Sequence, residues 1–175
     1  MSLSDADRAA REALRARQGQ GARYDAPEAP AEDLLRARRA TAGFARILNG
    51  LTDFEIAASD MTAAGLRRAE IIAAVGYDAR RTALALEDLV ASADRSGSIA
   101  LPSPDLAATL PARALRHLFE HSAIHLDTCW RDLPGSFWEA RLQMGDGVPQ
   151  EVRDLPRRRA DLLGRHIRSL DRNAA

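Results

Sequence analysis

Four stretches of this chain repeat apolar residues three and four positions apart, with helix breakers between them, a pattern that points to a bundle of α-helices. The first runs from about Asp33 to Leu51, where Ala37, Ala40, Thr41, Phe44, Ile47, Leu48 and Leu51 form one stripe. The second runs from about Leu66 to Ala91, carrying Ile71, Ile72, Val75, Ala79, Ala83, Leu86 and Leu89; Gly76 weakens it without ending it. The segment ADRSGSIALPSPDLAATLP, with its three prolines, reads as a loop. The third helix is expected over Ala112 to Arg131, with Leu115, Leu118, Phe119, Ala123, Leu126 and Trp130 inward. The fourth follows Pro156 and spans about Arg157 to Leu170, with Leu162, Leu163, Ile167 and Leu170 as its apolar face. Between the last two helices, Phe137 to Leu142 and Val148 to Val152 flank Gly145, Asp146 and Gly147, which suits a short β-hairpin. The expected fold is all-α, an up-down four-helix bundle with that hairpin between helices 3 and 4.

At 175 residues the chain is sized for one domain. Residues 1–30 read as an N-terminal arm, an Arg-rich helix over 1–18 followed by a Gly- and Pro-containing linker. Residues 31–171 read as the bundle and 172–175 as a tail. Acidic and basic residues number 25 each, so no general attraction to nucleic acid or anionic lipid is expected. The lone Cys129 cannot form an internal disulfide, and the N-terminus lacks an apolar leader. Apolar runs such as IIAAV are far shorter than a membrane span. The expected setting is the cytoplasm.

Several side chains are candidates for chemistry. His166 falls among Leu162, Leu163, Ile167 and Leu170 and is expected to point into the core. A buried imidazole there can be a hydrogen-bonded core residue, a metal ligand or a proton carrier. His117, His121 and His125 are spaced i, i+4, i+8, a ligand spacing for zinc or nickel. His117 and His121 nonetheless lie nearly opposite the core stripe and His125 lies at its edge, so the bland reading is a solvated face. Cys129, at the core edge of the same helix, reads as a small buried apolar group rather than a nucleophile. Arg157, Arg158 and Arg159 open the fourth helix, as a salt-bridged or solvated cluster or as an anion-binding one.

Segments along most of the chain resemble the maleylpyruvate isomerases of the DinB-like four-helix-bundle superfamily. They are ARQGQGARYDAPEAPAEDLLRARRATAGFARILNGL at 16–51, RRAEIIAAVGYDAR at 67–80, LPARALRHLFEHSAIHLDTCWRDLPG at 110–135, and the GVP and DLP elements before the last helix. The resemblance implies a bound divalent metal, zinc, and a low-molecular-weight thiol, mycothiol or glutathione. Together they convert maleylpyruvate to fumarylpyruvate in gentisate breakdown. A thiolate that adds to a conjugated cis double bond frees rotation about it, and a Lewis-acidic metal lowers the thiol pKa and steadies the enolate.

The family draws its metal ligands from a histidine on the second helix, in a pattern like RRHxxAHVGYxA, and from a glutamate and histidine one turn apart on the fourth, like REVxVHxVDL. Here Ala74 stands at the first position and Leu162 at the second, and only His166 is retained. One imidazole is too few for a metal that takes three or more protein ligands, so the metal is expected to be weakly bound or absent. Glu70 and Asp78, each one turn from Ala74, are the candidates to rebuild the set. The segment after the second helix is shorter than the family's insertion with a motif like GVETPMY, and the sequence ends at Ala175, soon after the metal helix. The expectation is a shortened isomerase-like protein with impaired activity. The alternatives are a non-catalytic bundle that binds a small keto acid, a thiol or a protein partner, its own copy included, and a metal row at His117, His121 and His125 between protomers.

Overall fold

The apolar stripes fold into the helices their spacing predicts. The structure, a computed structural model, describes residues 25–62, 64–91, 101–144 and 148–170. Helix α1 is Ala31–Gly50, α2 Asp53–Ala57, α3 Arg68–Val90, α4 Pro104–Ala107, α5 Ala112–Asp132 and α6 Leu155–Leu170. The expected helix over 1–18 lies outside the described residues, as do Gly145 to Gly147 and the tail. Among the described residues no helix is long and apolar enough to cross a membrane.

Helices α1, α3, α5 and α6 form the bundle, α3 packing mainly on α5 and α1 mainly on α6. Cross-helix contacts fix their directions. Arg38 meets Asp127 while Arg116 meets the Leu48 carbonyl, so α1 and α5 run oppositely. Arg36 meets Asp161 and Gly43 meets Ile167, so α1 and α6 run together. Gly76 against Leu118 and Ala83 against Cys129 make α3 and α5 parallel. The order is up-down-down-up, which is why a long segment must separate α3 from α5: a parallel pair needs a connection the length of the bundle.

Two short helices appear where the sequence reads as polar connection or loop. In α2, Thr52 accepts from the Glu55 backbone N–H at 3.2 Å and Glu55 accepts from the Thr52 N–H at 2.7 Å, a capping box that starts a single turn and buries Ile56. Helix α4 is one turn within the expected loop. The expected hairpin is real but reduced. Only Arg141–Leu142 (β1) and Gln150–Glu151 (β2) pair, antiparallel, while Gly135–Glu139 winds as a 3-10 turn. The indole of Trp138, fully buried, holds that turn against the bundle.

The described residues before α1 are tied down. Asp25 accepts from Arg38 Nη1 and Nη2 at 2.6 and 2.7 Å, and this bidentate contact lowers the Asp25 pKa.

Gly76 on α3 packs directly against Leu118 on α5. A Cβ there would sit 2.9 Å from Leu118 Cγ. Gly76→Ala would gain helix propensity of up to about 1 kcal/mol, yet overpacking costs about 1–3 kcal/mol. A net loss of about 1 kcal/mol is expected, read as a lower urea midpoint at unchanged slope.

Candidate functional site

A cavity of about 290 Å³ opens between α3, α6 and the hairpin, lined by Asp78 and Thr82, by Met144 and Gln150, and by Leu155, Arg158, Arg159, Asp161, Leu162 and Arg165. Its charged centre is an ion pair. Arg159 Nη1 donates to Asp78 Oδ2 at 2.9 Å and to the Val75 carbonyl at 2.8 Å, with the Arg159 side chain only 3% exposed. Burial pulls the guanidinium pKa down and the Asp78 charge opposes this; the group stays protonated. Arg159 Nη2 and Gln150 Oε1 are buried without a hydrogen-bond partner.

The sequence placed Arg159 in a solvated or salt-bridged cluster with its two neighbours. Arg157 fits that reading, exposed and 3.1 Å from Asp154. Arg159 is salt-bridged too, to Asp78, but it is buried rather than solvated, because at about 100° per residue it lies roughly 40° from Leu163, well inside the apolar arc.

The same geometry corrects the placement of His166. The buried face of α6 comprises Leu155, Pro156, Arg159, Ala160, Leu163 and Leu170, so its centre lies near Leu163. His166 stands roughly 60° away and Leu162 about 100°. Both are half-buried rather than central. The sequence stripe was drawn from Leu162 onward and missed the residues before it.

His166 Nδ1 is buried without a partner, and burial, helped by Arg165 and Arg159 and opposed by Asp78, lowers the ring's pKa from 6.5. The unfolded chain therefore binds this proton more readily than the folded one. Stability from this residue is full above pH 6.5 and is lost as pH falls through the lower folded value. His166→Leu is expected to raise stability by about 1 kcal/mol at neutral pH, since a buried unmet polar atom costs about 1–3 kcal/mol. It should also flatten the acid limb of a denaturation series; a large loss of stability would show that the imidazole has a partner in solution.

Of the three family ligand positions, Leu162 lines the cavity, and Ala74 and His166 do not. The two candidates to rebuild the set are engaged elsewhere. Asp78 is held by Arg159. Glu70 accepts from the Arg67 backbone N–H at 2.7 Å and from Arg67 Nε at 2.7 Å, capping α3, and the Arg67 contact lowers its pKa. The donor set around Ala74, Leu162 and His166, one imidazole beside two alkyl side chains and a buried guanidinium, does not fit a bound divalent cation.

The histidine row does not gather. His117 and His121 are exposed, their rings 4.5 Å apart, whereas His125 Nε2 lies 2.8 Å from Glu87 Oε1 on α3. Cys129, one turn on, is half-buried, its Sγ 3.7 Å from the Ala83 carbonyl. Burial first, then Glu87 and Asp132, push its thiol up to about 11, which fits an unreactive thiol at neutral pH. Among the described residues, Glu87, His125 and Cys129 are the one group of three potential ligands whose donor atoms converge, all within 4.8 Å of one another. The His125 and Cys129 spacing is visible in sequence; Glu87 joins them only through the α3 and α5 packing.

No family model and no curated protein matches the chain. Two solved structures share its fold. One is the mycothiol-dependent maleylpyruvate isomerase, with a TM-score of 0.71 and 23% identity over 83% of this chain and 62% of that one. The other is a histidine-to-alanine mutant of a mycothiol-dependent maleylpyruvate isomerase, with a TM-score of 0.68 and 24% identity over 80% and 60% of the two chains. The chain thus spans about three-fifths of the length of those structures. What it shares with them is the all-α bundle fold.

Proposed function

We propose that this chain is a maleylpyruvate-isomerase-type bundle whose metal- and thiol-dependent isomerisation is impaired, and whose cavity serves to bind a small carboxylate such as a keto acid. The observation that carries this reading is the buried Arg159 and Asp78 pair beside Leu162. The pair itself is neutral, but Arg158, Arg159 and Arg165 against Asp78 and Asp161 leave the lining with an excess of positive charge, which disfavours a cation and favours an anion. The cavity is about the size of a small diacid's site, with Arg158 and Arg165 adding charge on α6. Arg159 Nη2 and Gln150 Oε1 give it an unmet donor and an unmet acceptor. The replacement of a glutamate position by Leu162 fits a site without its metal, since an unpaired buried carboxylate is costly. A low-molecular-weight thiol is the cofactor class that the mycothiol-dependent fold neighbours suggest.

The test pairs an isomerisation assay with calorimetry. With zinc and either mycothiol or glutathione, maleylpyruvate should isomerise no faster than in thiol alone. Maleylpyruvate should nevertheless bind, and Arg165→Gln, an exposed lining residue, should weaken it about tenfold, the loss of one charge-assisted contact of about 1.4 kcal/mol. Zinc- and thiol-dependent turnover abolished by His166→Ala would overturn the loss of activity. Absence of binding to maleylpyruvate and to other small dicarboxylates would overturn the binding role.

A further inference from the structure

We propose that Glu87, His125 and Cys129 form a binding site for a divalent transition metal of the zinc class, independent of the cavity at Arg159. Glu87 lies nine residues beyond Asp78 on α3, about 13 Å along the helix at 1.5 Å per residue, so the two centres are separate. His125 and Cys129 are one turn apart on α5, which puts both donors on one side of that helix, facing Glu87 across the α3 and α5 contact. The chemistry of the set is selective. Imidazole nitrogen, thiol sulfur and carboxylate oxygen together suit zinc, cobalt or nickel, whereas calcium and magnesium require oxygen throughout.

The geometry needs only a small adjustment. Tetrahedral zinc with bonds of about 2.0–2.3 Å places its donors about 3.3–3.8 Å apart. The three donors now lie within 4.8 Å of one another, with His125 Nε2 and Glu87 Oε1 2.8 Å apart. A metal would replace that hydrogen bond, shifting each side chain by about an ångström or less. The Glu87 and His125 side chains are 53% and 34% exposed, so an ion has access, while Cys129 is half-buried against the helix pair. Cys129 would release its proton on binding, and its thiolate with the Glu87 carboxylate would neutralise a dication. Asp132, bonded to Arg131, lines the same pocket, which includes Leu86, Val90 and Thr128 and holds about 290 Å³. Three protein ligands beside a pocket leave a fourth position for water or a small exogenous ligand, the arrangement of an open rather than a closed zinc site.

Cobalt(II) titration of metal-free protein, followed by absorbance, tests this directly. One cobalt per chain is expected, with a thiolate-to-cobalt charge-transfer band that zinc then abolishes by displacement. Cys129→Ser should remove the band. His125→Ala and Glu87→Gln should each weaken zinc at least tenfold in competition with a chromophoric chelator, and His121→Ala and His166→Ala should leave it unchanged. All five ligand-set and control positions are partly or fully exposed, and circular dichroism checks that each variant is folded. No band on adding cobalt, a band that survives His125→Ala and Glu87→Gln at full affinity, or zinc binding that is lost with His121→Ala instead would each overturn the site. None of these outcomes bears on carboxylate binding at Arg159.

Discussion

Asp78→Ala is expected to destabilise the fold by about 3 kcal/mol, although its side chain is 37% exposed. The loss comes from what remains. Arg159 would keep its charge, because a guanidinium does not deprotonate in proteins, and would keep only the Val75 carbonyl as partner. Breaking a buried pair by removing one member costs about 3–5 kcal/mol; water that enters where the exposed carboxylate stood places the figure at the lower end. Removing both charges should be far milder. Asp78→Leu with Arg159→Met fills the same space with apolar groups and is expected to fall within about 1 kcal/mol of the parent. Urea denaturation of the two single variants and the double variant gives the coupling directly. If Asp78→Ala unfolds at the parent midpoint, Arg159 has found other partners, and the charged centre of the cavity is not the pair described.

Trp138→Ala should cost about 3–5 kcal/mol, the range for deleting a large aromatic from a closed core. The indole has no solvent exposure and packs in a cluster with Leu34, Leu126, Leu142 and Val152, joining α1, α5 and the hairpin segment. Its Nε1 has no hydrogen-bond partner, so the ring acts through area and shape. Trp138→Phe is therefore expected to recover most of the loss, at about 1–2 kcal/mol. Trp138→Ala should also loosen Met144 and Gln150, which line the Arg159 cavity beside the β1 and β2 pair, and weaken carboxylate binding with it. A Trp138→Ala variant with unchanged denaturation midpoint would mean that the 3-10 turn is held by its backbone alone.

The four long helices were legible because each carries a stripe that burial requires, and their observed bounds fall within a few residues of those the spacing predicts. The capping box of α2 was also present in the sequence, as Thr52 and Glu55 three apart, but a five-residue helix leaves no periodicity to support it. The hairpin was overdrawn because Phe137 and Trp138 are as suited to a buried 3-10 turn as to a strand, and alternation over so few residues does not distinguish them. The site was harder to read. Family spacing identified Leu162 and Ala74 as changed, but not the Arg159 and Asp78 pair, which depends on how α3 and α6 cross. Arg159 could have been found by extending the α6 stripe back to Pro156, where an arginine inside an apolar arc demands a partner. Glu87 could not, since nothing in its own helix marks it as the residue that meets His125.

The pairing of α1 with α6 sets an order on the making of the protein. α1 ends at Gly50 and α6 begins at Leu155, so more than a hundred residues must be synthesised before the stripe of Leu34, Phe44 and Leu48 meets its main partner. Until then α1 carries an uncovered apolar face on a nascent chain, while α3 and α5 can already associate. The ring closes last, around the helix that carries both Arg159 and His166, so on the ribosome the cavity is among the last parts of the molecule to take shape.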